Sequence, residues 1–468
     1  MVININKAKR KSWLGLSVLL LPTLVVSMDI SILFLATPKL SMALEPTAEQ
    51  LLWIIDIYGF MIAGFLLVMG SLSDRIGPRK LLMIGAGAFS IASVAAAFST
   101  SPEMLIFARA ILGIAGATLM PSTLALLSRM FVDPKQRSLA IGVWVTTMSV
   151  GISIGPLIGG LLLEFFWWGS VFLISVPFLA LLIMTAPLLI PKHQSIQRGT
   201  IDLASVILSL TAMLLIVYGF KNLPVNGFNW HDILFIIIGL FLGIVFIFRQ
   251  RNLKEPLVDV KLFKNPAFCT ALFLMLFGMI AINGIEYLFP QFLQLVSGLS
   301  PFQAGLWTIP GALAVIISSM LAPILSRRIS VAYVVGSGML IAAIGFSLMA
   351  LVESTSSFAI LVVGLVIAQL GVAPILVLGT DLVVGAAPSR KSGSASAIAE
   401  TSGELGVAFG IATMGSISNA VYRHSMAASN TTSSAEGRQD SLSGVLSIAE
   451  QLPSSFFWKS LEKHLLKG

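Results

Sequence analysis

Residues 51–99 read LLWIIDIYGFMIAGFLLVMGSLSDRIGPRKLLMIGAGAFSIASVAAAFS. Two apolar runs, 51–72 and 80–99, flank a break that gathers Asp74, Arg75, Arg79 and Lys80. A helix of about 20 apolar residues crosses the roughly 30 Å hydrocarbon core of a bilayer. The break between them is long enough only for a tight, charged loop. This stretch therefore predicts two membrane-spanning helices joined on the side of the membrane where positive charge collects.

The same pattern continues in both directions. Apolar residues make up 56% of the 468-residue chain and charged residues 11%, with a mean hydropathy of +0.95. Runs of spanning length predict thirteen helices between residues 13 and 420, and no soluble domain of ordinary size fits between them. The first run, 13–36, follows Lys7, Lys9, Arg10 and Lys11; it is longer than a signal-peptide core and lacks a small-residue cleavage site, so it reads as a retained span. Basic residues crowd into alternate loops, whereas the first six loops on the other side hold only Lys39 and Lys221. The amino terminus is accordingly expected in the cytoplasm.

Several function classes fall away. The net charge of +8 is spread over short loops and forms no continuous basic face, so nucleic acid is not an expected partner. Cys269 is the single cysteine, which excludes an internal disulfide and a thiolate metal cluster. No G-x-x-x-x-G-K-[ST] phosphate loop occurs, so any energised movement of solute draws on a gradient, and no cofactor or metal is expected.

A weak repeat orders the helices. Leu72-Ser73-Asp74-Arg75-Ile76, after the second span, is echoed by Leu325-Ser326-Arg327-Arg328-Ile329, after the tenth. Two six-helix halves would place such copies six spans apart, and the observed eight imply two additional helices between the halves. The expected organisation is an N-terminal six-helix bundle over 1–195, a two-helix linker over 196–252, a C-terminal bundle with five detectable helices over 253–422, and a polar tail over 423–468.

Three motifs carry a resemblance. The loop Gly70-Ser71-Leu72-Ser73-Asp74-Arg75-Ile76-Gly77-Pro78-Arg79-Lys80 is similar to the G-x-x-x-D-R-x-G-R-[RK] signature of the major facilitator superfamily, with Pro78 standing where a basic residue is usual. Its glycine permits close helix approach, its aspartate can cap or pair across helix ends, and its basic residues can hold a latch. The fifth span places Gly142, Gly151, Gly155, Pro156, Gly159 and Gly160 in the spacing G-x8-G-x3-G-P-x2-G-G. It resembles the antiporter motif of that superfamily's drug exporters, and physically it offers a small-residue face that could seal one side of a cavity. Arg109-Ala110-Ile111-Leu112-Gly113 resembles the family's R-x-x-x-G motif, and Asp29-Ile30-Ser31-Ile32 the first-helix pattern of its fourteen-helix drug:proton antiporter branch. The resemblance implies an all-α membrane protein with the major facilitator fold: two pseudo-symmetric helical bundles plus two linking helices, about 13 transmembrane helices, the expected fourteenth missing. It also implies a multi-pass protein of the bacterial inner membrane.

Ionisable residues inside apolar runs are costly and mark function by default. Asp29 and Arg109 lie at similar depths in their helices and are expected to pair. Glu400 and Glu404, four residues apart, share a helix face and repel when both are ionised, which favours proton uptake near neutral pH. The resemblance adds support, since related quaternary-ammonium exporters carry acids in this region. These four residues form the expected proton-coupling set. Asp56, Glu286 and Tyr287 are the expected substrate contacts, the last through attraction of its ring for a lipophilic cation. Gly70, Asp74, Arg75, Gly77 and Arg79, with the span-five glycines and Pro156, form the expected gating set. Asp381, near a cytoplasmic helix end, is expected to be solvated. The stretch Pro310–Val315 lacks the acid that some relatives carry in their tenth helix, so a preference for divalent cations is not carried over.

The expected function is a secondary transporter, not an enzyme: a proton-coupled multidrug efflux antiporter acting as a monomer on small lipophilic cations such as quaternary ammonium biocides and dyes. Its other partners are protons and the lipid bilayer. Two alternatives stay open at this point, a proton-coupled uptake symporter and a transport-inactive membrane receptor.

Overall fold

A computed structural model describes residues 10–191, 202–226, 230–253, 256–293, 297, 299, 301–351, 358–388 and 391–428. Among them are α1 (Arg10–Leu44), α2 (Ala48–Ile76), α3 (Pro78–Ala97), α4 (Pro102–Met130), α5 (Pro134–Phe165), α6 (Ser170–Leu173), α7 (Ser175–Leu189), α8 (Leu203–Asn226) and α9 (Trp230–Asn252). A short 3-10 turn (Val260–Lys264) leads into α10 (Pro266–Gln291), α11 (Pro301–Leu306), α12 (Ile309–Leu325), α13 (Val331–Ala350), α14 (Phe358–Ala386) and α15 (Ser392–Ala428). The described residues include no strand.

Helix starts follow from local sequence. Thr47 and Gln50 form a reciprocal capping box at α2. Ser101-Pro102, Asp133-Pro134 and Asn265-Pro266 each supply a side-chain acceptor followed by proline. Proline loses nothing in the first turn, where its missing N–H would have had no helical partner.

Twelve helical stretches among the described residues are long and apolar enough to cross a membrane, with α6–α7 and α11–α12 each making one. The thirteenth expected span, over residues 394–420, falls on α15, which is not among these twelve. That helix runs over 37 residues. It packs against α10, α2, α8 and α4, and every residue from Lys391 to Ala399 is buried. A helix enclosed by others does not need an oily surface and can spend its face on small and polar residues. By contrast, α9 exposes Ile237, Leu240, Phe241 and Phe248 as a lipid-facing stripe. The expected missing fourteenth span and the polar tail fall on residues 429–468, outside the described residues.

The largest apolar core gathers side chains of α1 to α7, from Leu16 to Ile190, with Val377 of α14 reaching in. On the other side, α14 packs against α13, α12 and α10. Helices α8 and α9 form a hairpin closed by glycines. A Cβ on Gly219 would meet Asp232 O at 2.8 Å, and one on Gly239 would meet Ala212 O at 2.9 Å. The hairpin lies against α2 and α15, with Phe60 stacked near Tyr218 and Phe220 near Phe409. At its open end Arg249 holds Asp202 through two bonds of 2.7 and 2.9 Å. These bonds, with one from Ser205, hold the Asp202 carboxyl below the usual carboxylate range.

Candidate functional site: a buried ion pair, interior acids and a latch

Arg109 is 1% exposed in the first third of α4. Its Nη1 donates to Asp29 Oδ2 at 2.8 Å, its Nε to Ile54 O at 3.0 Å and its Nη2 to Ile55 O at 3.4 Å. The guanidinium carbon lies 4.8 Å from the centre of the Tyr58 ring. Gly113, one turn further along α4, explains why α2 can come this near. A Cβ there would stand 2.5 Å from Tyr58 O and 2.6 Å from Met61 Cβ. Arginine and glycine at i and i+4 share a face, so the R-x-x-x-G spacing joins the charge to the close approach that supplies its carbonyl acceptors.

Asp29 is placed by the glycines of α5. Gly151, Gly155 and Gly159 recur every four residues and face α1. A Cβ would meet Ser27 Cβ at 2.7 Å from Gly151 and Ile32 Cγ2 at 3.0 Å from Gly159, and from Gly155 it would collide with Ser31 Oγ. These positions bracket Asp29 on α1. The first glycine of the motif behaves differently: a Cβ on Gly142 would meet Ser319 O of α12, in the opposite half, at 2.7 Å. Gly160 is half-buried, and Pro156 lies within α5 without breaking it. The stripe thus fixes α1 against α5 for most of its length and seals a contact between the halves only at Gly142.

The loop between α2 and α3 builds a second constellation. Asp74 is 3% exposed and accepts from the backbone N–H of Gly393 at 2.8 Å, the N–H of Ser394 at 2.9 Å and Ser394 Oγ at 2.9 Å. It therefore caps the first turn of α15 from another helix, where free amides and the helix dipole favour an anion. Arg129 Nη2 donates to Asp74 at 3.2 Å while its Nε donates to Ser392 Oγ at 2.9 Å. Gly70 touches the same turn, since a Cβ on it would meet Gly393 O at 2.7 Å. Gly77 adopts φ 94°, a backbone region open to glycine and costly for other residues. Arg79 Nη1 donates to Ile190 O at 2.9 Å, tying the loop to the end of α7, and Arg75 is buried beside it at 7% exposure. The repeat copy at 325–329 lacks the aspartate and lies largely exposed. Without Asp74's counterpart it has nothing to cap.

Asp381 corrects an expectation. It is not solvated: Arg137 Nε of α5 donates to its Oδ1 at 2.6 Å, with side chains 19% and 15% exposed. The two residues belong to opposite halves, and their mutual approach removes both from water.

The interior acids are spread over three helices. Glu286 lies nine residues, roughly two and a half turns, beyond the lipid-facing Phe277 of α10, and so points the opposite way. It is exposed there, and Gln369 Nε2 of α14 donates to its Oε1 at 3.2 Å. Tyr287, its neighbour, is half-buried. Glu400 and Glu404 are half-buried one turn apart on α15, and Glu400 has no hydrogen bond or ion pair among the described residues. Asp56 is half-buried on α2, just past the carbonyls that Arg109 binds. The structure brings Asp29 to Arg109 and Asp74 to α15, while Glu286 sits apart on α10. Sequence reading missed Gln369, Arg129, Arg137, Ser392 and Ser394. For Gln369 a signal existed, because it is the one amide or charged side chain between Phe358 and Thr380.

Comparison with known proteins agrees with this architecture. The Major Facilitator Superfamily profile matches residues 19–411. The chain is 37% identical over 452 residues to the multidrug efflux pump LfrA of Mycolicibacterium smegmatis, covering 96% of this chain and 90% of that protein. It is also 37% identical over 410 residues to the methyl viologen resistance protein SmvA of Salmonella typhimurium, covering 86% and 82%. The crystal structure of the human organic anion transporter MFSD10 superposes with a TM-score of 0.65 at 16% identity over 87% of this chain and 94% of that one, which supports the fold alone. A profile match across most of the length and two relatives above one-third identity leave one assignment: the chain belongs to the Major Facilitator Superfamily, and is a multi-pass membrane transporter rather than an enzyme.

Proposed function

We propose that this transporter is a proton-coupled efflux antiporter of the bacterial cytoplasmic membrane that expels lipophilic cations. The observation that carries the reading is a charge imbalance in the interior. Arg109 is neutralised by Asp29, whereas Glu286 and Glu400 have no cationic partner among the described residues. A carboxylate in a low-dielectric cavity is satisfied by a positive guest or by a proton, and these two occupants compete. The efflux-pump relatives support outward transport, and the name of SmvA, which refers to the dication methyl viologen, supports a cationic cargo.

In this mechanism the latched end, bearing Asp74, Arg129, Arg137 and Asp381, faces the cytoplasm, as the distribution of basic loops favours. With that end closed, the interior acids release cargo outward and take protons. With it open, they lose protons to the cytoplasm and regain their attraction for a cation. Each charge crossing the full field is worth about 2.3 kcal/mol per 100 mV, so exchanging more proton charge than cargo charge drives accumulation outside.

Everted membrane vesicles test the proposal. Acidifying their interior should drive ethidium inward in vesicles carrying the protein. An uncoupler should abolish the uptake, as should Asp29→Asn. Dye movement indifferent to the pH gradient would sink the coupling, and solute uptake in the opposite direction would sink export.

A further inference from the structure

Gln369 does more than fill space beside Glu286. It is 5% exposed, and its Oε1 is buried without a hydrogen-bond partner among the described residues. Its surroundings hold it firmly. A Cβ on Gly311, in the first turn of α12, would lie 2.9 Å from that oxygen. Two residues along α14, on the other side of the helix, Gly371 lets α13 close in, with Gly338 O and Ala342 N at its surface.

A buried amide oxygen without a donor is costly unless another state of the site supplies one. Protonated Glu286 supplies it. An ionised carboxylate only accepts hydrogen bonds, whereas the acid has an O–H to give. A carboxamide presents a donor and an acceptor on one carbon, so it can serve Glu286 through Nε2 when the acid is charged and through Oε1 when it is neutral. A cation such as Arg109 offers no such choice, because it favours only the ionised partner.

We propose that Gln369 is the positioning residue for proton exchange at Glu286, serving as hydrogen-bond partner in both protonation states. The inference rests on the proton-exchange reading above and assigns its site in the C-terminal half to this pair. When cargo leaves, the Glu286 carboxylate takes one proton from water and donates it in a bond to Gln369 Oε1. When cargo returns, that proton goes back to water and Gln369 Nε2–H resumes its bond to the carboxylate.

Other charges leave this pair to itself. On α14, Asp381 lies twelve residues away toward the latched end and is held by Arg137. On α15, Ser402 bonds Leu272 O and Gly410 meets Gly284, so Glu400 and Glu404 are level with the beginning of α10, several turns from Glu286. The described part of α11 has no titratable group, and Lys261 and Lys264 of the 3-10 turn stand at the opposite end of α10.

The test uses the purified full chain in lipid nanodiscs and pH-difference infrared spectroscopy. The Glu286 carboxyl band is the one lost in Glu286→Gln. Gln369→Met keeps length and apolar packing but removes both hydrogen-bonding functions. In that variant the band should move to higher wavenumber as the neutral acid loses its acceptor, while the titration midpoint should move by less than about one pH unit, the worth of an ordinary hydrogen bond, because both protonation states lose a partner. If Gln369→Met fails to fold, Gly311→Ala pushes the amide off its seat and should move the same band. An unchanged band in the folded variant, or a midpoint shift of more than about one pH unit that marks a partner of one state alone, would overturn the proposal. Adding ethidium to the wild type should diminish the band as the cation displaces the proton. If ethidium has no effect while the band still responds to Gln369→Met, cation export loses support and the role of Gln369 stands.

Discussion

Arg109 cannot shed its charge, so α4 has to bring its own compensation into the membrane interior. Asp29 and two carbonyls of α2 provide it. Replacing Asp29 with Leu strands a buried guanidinium and should cost about 3–5 kcal/mol, read as a fall in the melting temperature of the purified protein. Asp29→Asn retains an acceptor but not the counter-charge, so it should lower the melting temperature less than Asp29→Leu while losing resistance to quaternary ammonium compounds in a drug-sensitive host. At Gly113 the added methyl of alanine meets the Tyr58 backbone, which cannot rotate away. That substitution should cost about 1–3 kcal/mol and weaken transport together with stability. Asp29 and Arg109 were legible in the sequence because a charge in an apolar run has few innocent explanations. Gln369 was visible only as a polar break in an apolar run, since an amide carries no net charge and its meaning depends on the carboxylate that faces it. Asp381 was misread for a related reason: a helix-end acid looks solvated until the partner from another helix is known.

Helices α2 and α15 meet where Asp74 caps a helix that lies more than 300 residues later in the chain. Asp74→Ala removes three hydrogen bonds and an ion pair at once, all at the proposed cytoplasmic end. Spin labels on the exposed Lys80 and Arg327 should then show a broader and longer distance distribution, as the latched arrangement gives up population. The α8–α9 hairpin carries its own clasp between Asp202 and Arg249. Because the folded carboxyl titrates below its unfolded value, its contribution is fully present above the unfolded pKa and is lost as pH falls through the folded one. The melting difference between wild type and Arg249→Gln should therefore stay flat from about pH 8 to pH 5 and close below about pH 4. Most elements were legible as elements, since apolar length alone predicts a span. Apolar length did not tell which helices would enclose α15, whose first turns are buried among its neighbours.

Between the halves, the described contacts gather at one end: Gly142 against Ser319, Gly70 against Gly393 and Arg137 against Asp381. The molecule is thus held closed at the end that bears the α2–α3 loop. Gly142→Leu would insert a side chain where a backbone carbonyl now lies. It should favour the state in which α5 and α12 separate, seen as lengthened label distances across that end and slowed dye export at unchanged membrane abundance.

The sequence by itself determined that the chain crosses a membrane many times, which loops carry the positive charge, and which acids and glycines are out of place in oil. Those properties are local, because the free energy of placing a residue in hydrocarbon depends chiefly on that residue and its near neighbours. Tertiary structure alone decided which glycine faces α1 and which faces the other half, that Asp74 caps α15, that Asp381 pairs with Arg137, and that Gln369 attends Glu286. Each of these is a contact between residues far apart in the chain, and hydropathy and spacing carry no information about which distant helix will fill a given face.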